Sequence, residues 1–148
     1  MFTIHSATGQ SSEPQQESGK LSKNVIYGTA GFFPIWGVIN INYERMLGHS
    51  SEKFVKSLWY RVGGGYWGTW GAEGPHFVST LTALTGSKNN HLELSLGIAI
   101  LNDNYYHDNS LYPAGNIGYR FQKSDGHFVF RTGVSFPETT YLSLGISF

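Results

Sequence analysis

From Val25 onward, apolar and polar residues alternate with a period of two. Asn40-Ile41-Asn42-Tyr43 does so, and so does the long run from Leu92 to Ile100. Phe128, Phe130, Thr132, Val134 and Phe136 share one face of a further run. In the last run Leu142, Leu144, Ile146 and Phe148 lie on one face, and Tyr141, Ser143, Gly145 and Ser147 on the other. This period marks β-strands with one apolar and one polar face. No helical stripe of useful length interrupts them. The pattern predicts an all-β chain of eight strands, over 24–32, 38–47, 54–66, 76–85, 90–101, 112–122, 127–136 and 140–148. Each is about 9–12 residues long, enough for a tilted strand to cross a bilayer.

The connections are expected to alternate in kind. Gly48 to Lys53, Thr85 to Asn89 and Lys123 to Gly126 are short and polar. Phe32 to Gly37 is aromatic, Gly63 to Pro75 is long with Tyr66, Trp67 and Trp70, and Asn102 to Pro113 is long with Tyr105, Tyr106 and His107. Pro137 to Thr139 is short. Short turns at one end and longer aromatic loops at the other is the asymmetry of outer-membrane barrels. The exposed aromatics Tyr66, Trp67, Trp70, Tyr105 and Tyr106 are therefore candidates for external docking, on a sugar or on a partner protein.

The polar face decides between barrel types. A soluble barrel turns its apolar face inward, whereas an outer-membrane barrel turns it outward around a polar lumen. Here the polar face carries Asn40, Asn42, Glu44, Arg61, Glu93, Ser95, Asn116, Arg120, Gln122, Arg131 and Ser143, interleaved with glycine. Small residues suit the narrow lumen of an eight-stranded barrel, which side chains fill. Its charges are Glu44 and Glu93 against Arg61, Arg120 and Arg131. With both termini at one end, the strand directions put Glu44, Glu93, Arg120 and Arg131 in the half of the lumen nearest the termini. Charges in so confined a space must pair, so a lumen ion-pair cluster is expected there. Tyr43, Tyr60, Tyr119, Phe121, Phe136 and Phe148 lie near strand ends on the apolar face, where amphipathic rings suit a membrane–water interface.

Composition narrows the alternatives. The chain has 148 residues, one domain's worth. Ten basic and ten acidic residues give zero net charge, which argues against nucleic acid as a partner. Charged residues are 14%, against roughly 25% in a typical soluble domain, while aromatics are 16%. There is no Cys, so disulfides, thiolate zinc sites and thiol nucleophiles are excluded. No run of 18 apolar residues offers a transmembrane helix. Residues 1–23 read as a signal remnant followed by a flexible periplasmic leader, because Ala7 and Gly9 resemble a cleavage region and Ser11 to Asn24 has little to bury. Residues 24–148 form the barrel.

The ending YLSLGISF, with apolar residues at every second position back from Phe148, resembles the C-terminal assembly signal of bacterial outer-membrane barrels. Leu142, Leu144, Ile146 and Phe148 carry it. The stretches NINYERML (40–47), NNHLELSLG (89–97), NIGYRFQ (116–122) and HFVFRTGVSF (127–136) resemble small, mostly uncharacterised outer-membrane proteins of Bacteroidota. The resemblance spans about Asn24 to Phe148. It implies an exported, up-and-down transmembrane β-barrel in the outer membrane. The expected partners are membrane lipid and the barrel-insertion machinery during assembly, and the docking aromatics and outer wall make a membrane protein complex a further expected partner. It implies no transferable activity.

Specific chemistry is thin. Some eight-stranded outer-membrane barrels modify lipid A, and Asp103, His107, Asp108 and Ser110 supply residue types that a palmitoyltransferase of this kind uses. No His-x-Ser pair of the deacylase type occurs. A nucleophile needs a base in hydrogen-bond reach and a group that orients it, and nothing in the spacing demands one. His5, His49, His76, His91, His107 and His127 are scattered, so no metal site and no cofactor is expected. Gly63-Gly64-Gly65 lacks the Lys-Ser/Thr of a phosphate loop and in a strand permits curvature or close packing. The reading is a non-catalytic structural or accessory barrel. A lipid-modifying membrane enzyme and a soluble lipocalin-like binder are the alternatives. N-terminal sequencing of exported protein checks the signal reading: loss of Phe2 to Gly9 is expected, and a mature chain retaining them contradicts it.

Overall fold

The computed structural model describes residues 21–50 and 52–148. The cleavage region and most of the leader lie outside the described residues. Eight strands follow one another: β1 (Asn24–Phe33), β2 (Trp36–His49), β3 (Ser57–Thr69), β4 (Glu73–Ser87), β5 (Asn90–Asp103), β6 (Asp108–Gln122), β7 (Phe128–Phe136) and β8 (Thr139–Ser147). Each pairs antiparallel with the next, and β8 pairs back onto β1 to close a barrel. The register fixes its shape. From Arg120 the ladder passes through Arg131, Ser143, Thr29, Asn40, Gly65, His76 and Leu101 and returns to β6 at Ser110, ten residues from its start. Eight strands with that stagger tilt by roughly 40° and leave an interior that side chains fill.

Parity assigns the two faces. Val25, Tyr27 and Thr29 point inward on β1, Asn40, Asn42 and Glu44 on β2, and Glu93 and Ser95 on β5, and all are buried. The positions between them point out. Ile41 and Leu96 are each 71% exposed, and Ile39, Leu92, Leu94, Ile98, Leu142, Leu144 and Ile146 are exposed alongside them. On β5 the outward apolar row runs from Leu92 to Ile100 without a break. At about 3.3 Å per residue and that tilt, the row covers on the order of 20 Å along the axis. Outside the buried interior, the strands carry charge only near their ends: Arg45 at the end bearing the termini, and Glu73, Asp103 and Asp108 at the rim of the opposite, distal end.

The loop asymmetry is the reverse of the sequence expectation. The distal connections are only 34–35, 70–72, 104–107 and 137–138, whereas the longest, 50–56, lies at the terminal end. The reason is that the ladder continues through segments whose glycine and proline read as loop. Tyr66 and Trp67 pair with Pro75 and Gly74 inside β3 and β4, and β6 starts at Asp108 rather than near 112. Gly65 makes this extension feasible. A Cβ there would overlap the Ile39 carbonyl oxygen and crowd Asn40, so only glycine lets the two backbones approach. Leu21, read as leader, instead packs into the terminal mouth of the barrel, and the Lys23 carbonyl accepts a hydrogen bond from the Met46 amide at 2.8 Å.

Candidate functional site

The interior is stacked in layers. An apolar plug of Leu21, Val25, Tyr27, Trp59, Leu84 and Val129 closes the terminal end. A second plug of Val38, Trp67, Val78, Ala99, Leu101 and Ala114 closes the distal end, capped by Trp36. The charged residues lie between.

Glu44, Glu93, Arg120 and Arg131 form one network. Arg120 donates from Nη1 to Glu44 Oε2 at 2.5 Å, and Arg131 Nη1 lies 3.3 Å from Glu44 Oε1. Arg131 also forks onto Glu93, donating from Nε to Oε2 at 2.9 Å and from Nη2 to Oε1. This two-pronged, charge-assisted arrangement is the strong form of the interaction. The remaining carboxylate lone pairs are used as well. The Tyr27 hydroxyl donates to Glu44 Oε1 at 2.6 Å, and Asn116 Nδ2 donates to Glu93 Oε1 at 2.6 Å. Arg131 lies 4.2 Å above the Tyr27 ring and Arg120 4.6 Å above Trp59, so the guanidinium faces are covered by π-systems. All four charges are essentially inaccessible.

Arg61, expected in the same cluster, belongs to a second layer. It donates from Nη2 to Glu138 Oε1 and from Nε to Asn42 Oδ1 at 2.8 Å. Asn40 Nδ2 and Ser135 Oγ donate to the same carboxylate at 3.1 and 2.9 Å. Glu138 sits in the turn between β7 and β8 and is 2% exposed. Parity could not locate it, because the turn breaks the alternation. The available signal was charge: two acids against three arginines left the lumen one anion short. Burial opposes ionisation of Glu138, but the Arg61 guanidinium and the donors around it outweigh burial and hold its carboxyl down at about 2. The gap beside this pair, lined by Thr29, Arg61, Arg131, Ser135, Glu138, Tyr141 and Ser143, has no volume that a water molecule can enter. The arrangement supports structural pairing.

The docking aromatics separate into two groups. Trp70 is 91% exposed in the 70–72 connection, Tyr105 and Tyr106 are exposed at the 104–107 turn, and Tyr66 faces outward and accepts a bond from Asn104 Nδ2 at 3.1 Å. Trp67 does not belong with them. It is turned into the lumen, stacks on Trp36 with ring centroids 4.7 Å apart, and donates from Nε1 to the Asn102 carbonyl at 3.0 Å. Trp36 donates in turn to the Pro137 carbonyl at 2.9 Å. Strand parity carries Trp67 inward once β3 extends that far. Beside Trp70 lies a shallow, open depression lined by Phe32, Phe33, Pro34, Ile35 and Trp36. Leu142, Leu144, Ile146 and Phe148 line the outward side of the final strand, beside the β1–β8 closure. Of the interfacial aromatics, Tyr43, Tyr60, Tyr119, Phe121 and Phe148 ring the terminal end and Phe136 the distal end. Among the described residues no hydrogen bond joins His107 to Asp103, Asp108 or Ser110, and no group of three His, Asp or Glu residues is placed to hold a metal ion.

The molecule is thus a closed eight-stranded antiparallel barrel with a packed, ion-paired interior and an apolar exterior. No protein-family model matches the chain, and no curated protein matches it.

Breaking one side of a buried ion pair strands the other charge, at a cost of about 3–5 kcal/mol. Glu93→Ala is expected to lose stability in that range by urea unfolding in detergent, whereas exposed Glu52→Ala should stay within about 0.5 kcal/mol. Equal losses in the two variants would contradict the network. Glu138 makes a pH-dependent contribution of known sign. Its carboxyl is depressed in the folded state, so its stabilisation is full above the ordinary carboxylate pKa of 4.5 and is lost as pH falls towards about 2. Glu138→Gln should flatten the stability profile between those limits relative to the parent, and an unchanged profile would refute the assignment.

Proposed function

We propose that the protein is a transmembrane β-barrel of the bacterial outer membrane, with a structural or accessory role rather than a catalytic one. One observation carries the reading: the apolar face is outside and the polar, charged face inside. In water that distribution would leave most of the apolar wall unburied, far beyond the few hundred Å² that soluble monomers expose. In lipid it is the required one, and closure leaves no unpaired strand edge. The band of apolar wall approaches the height of about 25 Å seen in such barrels, and aromatic rings flank it at both ends. A lipocalin-like binder would need an apolar cavity, whereas the interior here is filled by ion pairs. A packed lumen also disfavours a porin. Contact with a partner then falls to the wall and to the distal aromatics around Trp70. The resemblance to small Bacteroidota outer-membrane proteins is consistent with this setting.

Expression in a Gram-negative host with a complete signal peptide tests the reading by gel. The protein is expected in the outer-membrane fraction, migrating differently before and after boiling in SDS. A soluble protein with no shift on boiling would overturn it.

A further inference from the structure

We infer that the terminal end of the barrel is a collar for anionic phospholipid headgroups. The inference rests on the membrane reading above. Nine described Lys and Arg residues divide sharply by place. Arg61, Arg120 and Arg131 are consumed in the lumen. The other six, Lys23, Arg45, Lys53, Lys56, Lys88 and Lys123, all lie at the terminal end. They are spread around the rim: one precedes β1, one is near the end of β2, and each of the three connections at that end carries at least one. Glu52 and Asp125 are the acids described beside them. The distal end has the opposite sign. Its connections and strand ends bear Glu73, Asp103 and Asp108, and among the described residues no Lys or Arg.

The collar is built at the level a headgroup occupies. Tyr43, Tyr60 and Tyr119 face outward just above it, with apolar wall continuing beyond them. Two of their hydroxyls point to polar partners at the rim. Tyr43 donates to Asn24 Oδ1 at 2.7 Å, and Tyr119 donates to Asn90 Oδ1 at 2.5 Å. Rings of this kind sit at the membrane–water interface, so cations one step further out meet the phosphate layer. A lysine near an anionic leaflet gains about fivefold in local lipid occupancy, an attraction that decays within a Debye length. The same charges set orientation, because inverting the barrel would press three carboxylates against the phosphates and move the cations away.

The test uses purified protein inserted into phosphatidylcholine vesicles doped with spin-labelled phosphatidylglycerol or spin-labelled phosphatidylcholine. The immobilised fraction of each label reports the lipids touching the barrel. The anionic label is expected to be enriched about fivefold over the neutral one, and the enrichment should disappear in 1 M salt. Lys23→Glu/Lys53→Glu/Lys123→Glu should abolish it, while Glu73→Gln/Asp108→Asn should not. Equal labelling by both lipids in the unaltered protein would overturn the collar, as would enrichment that survives the salt or the triple exchange. The salt titration needs no variant, so misfolding of the triple exchange leaves the test intact. Insertion is scored first, by the shift on boiling in neutral vesicles. Failure at that step refutes the membrane reading and the collar with it, whereas insertion without lipid preference refutes the collar alone.

Discussion

Two carboxylates and two guanidiniums lie buried in the centre of the barrel. Transferring such charges out of water is very unfavourable unless each meets a counter-charge. Glu44, Glu93, Arg120 and Arg131 come from β2, β5, β6 and β7, so their mutual distances are right only when the barrel is closed with one register. Tyr27 from β1 and Tyr141 from β8 hold the same carboxylates, and Arg61 of β3 reaches Glu138 across the interior. The network therefore acts as a register lock. A one-residue slip in any of these strands would turn its charge to the outer wall and leave the partner stranded. Everything else in the fold is consistent with that lock: small residues beside the charges and apolar plugs above and below.

A barrel arranged this way gains little from burying apolar area in its own middle. Its apolar residues lie on the wall, and the proposed environment is what covers them. In lipid every backbone amide and carbonyl needs a partner within the protein, and eight consecutive pairings closed by β1 and β8 supply them. The outside is graded as well. An apolar band carries no charge, aromatic rings bound it, and charges of opposite sign occupy its two ends. Each feature would be a liability on a soluble protein. Together they fit the proposed membrane setting.

Much of this architecture was legible in the chain because a period of two maps each residue to a face. Glu44 and Glu93 could be placed inside on the alternation of their neighbours alone, and opposing strand directions then put them at the same height as Arg120 and Arg131. The eight strands and their order followed from the same pattern. The errors occurred where alternation stops or is diluted. Gly63 to Pro75 reads as a long loop by composition, yet glycine is what lets β2 and β3 approach at Gly65, so the ladder runs through it. Extending β3 then carried Trp67 into the lumen and away from the docking surface. Glu138 was invisible to parity because a turn residue has no face until the turn is built. Its need showed only as a missing negative charge. Arg61 was assigned to the lumen, and its partner Glu138 could not be named for the same reason.

The absence of cysteine allows the central claim, that the apolar wall is covered by lipid, to be measured residue by residue. Single cysteines at each position from Leu92 to Ile100, spin-labelled in vesicle-inserted protein, report contact with oxygen, which concentrates in lipid, or with a water-soluble nickel chelate. The account predicts a period of two, with oxygen contact at 92, 94, 96, 98 and 100, strongest near 96, and little contact with either agent at 93, 95 and 99. Strong nickel contact at 94, 96 and 98 would place that wall in water and contradict the account.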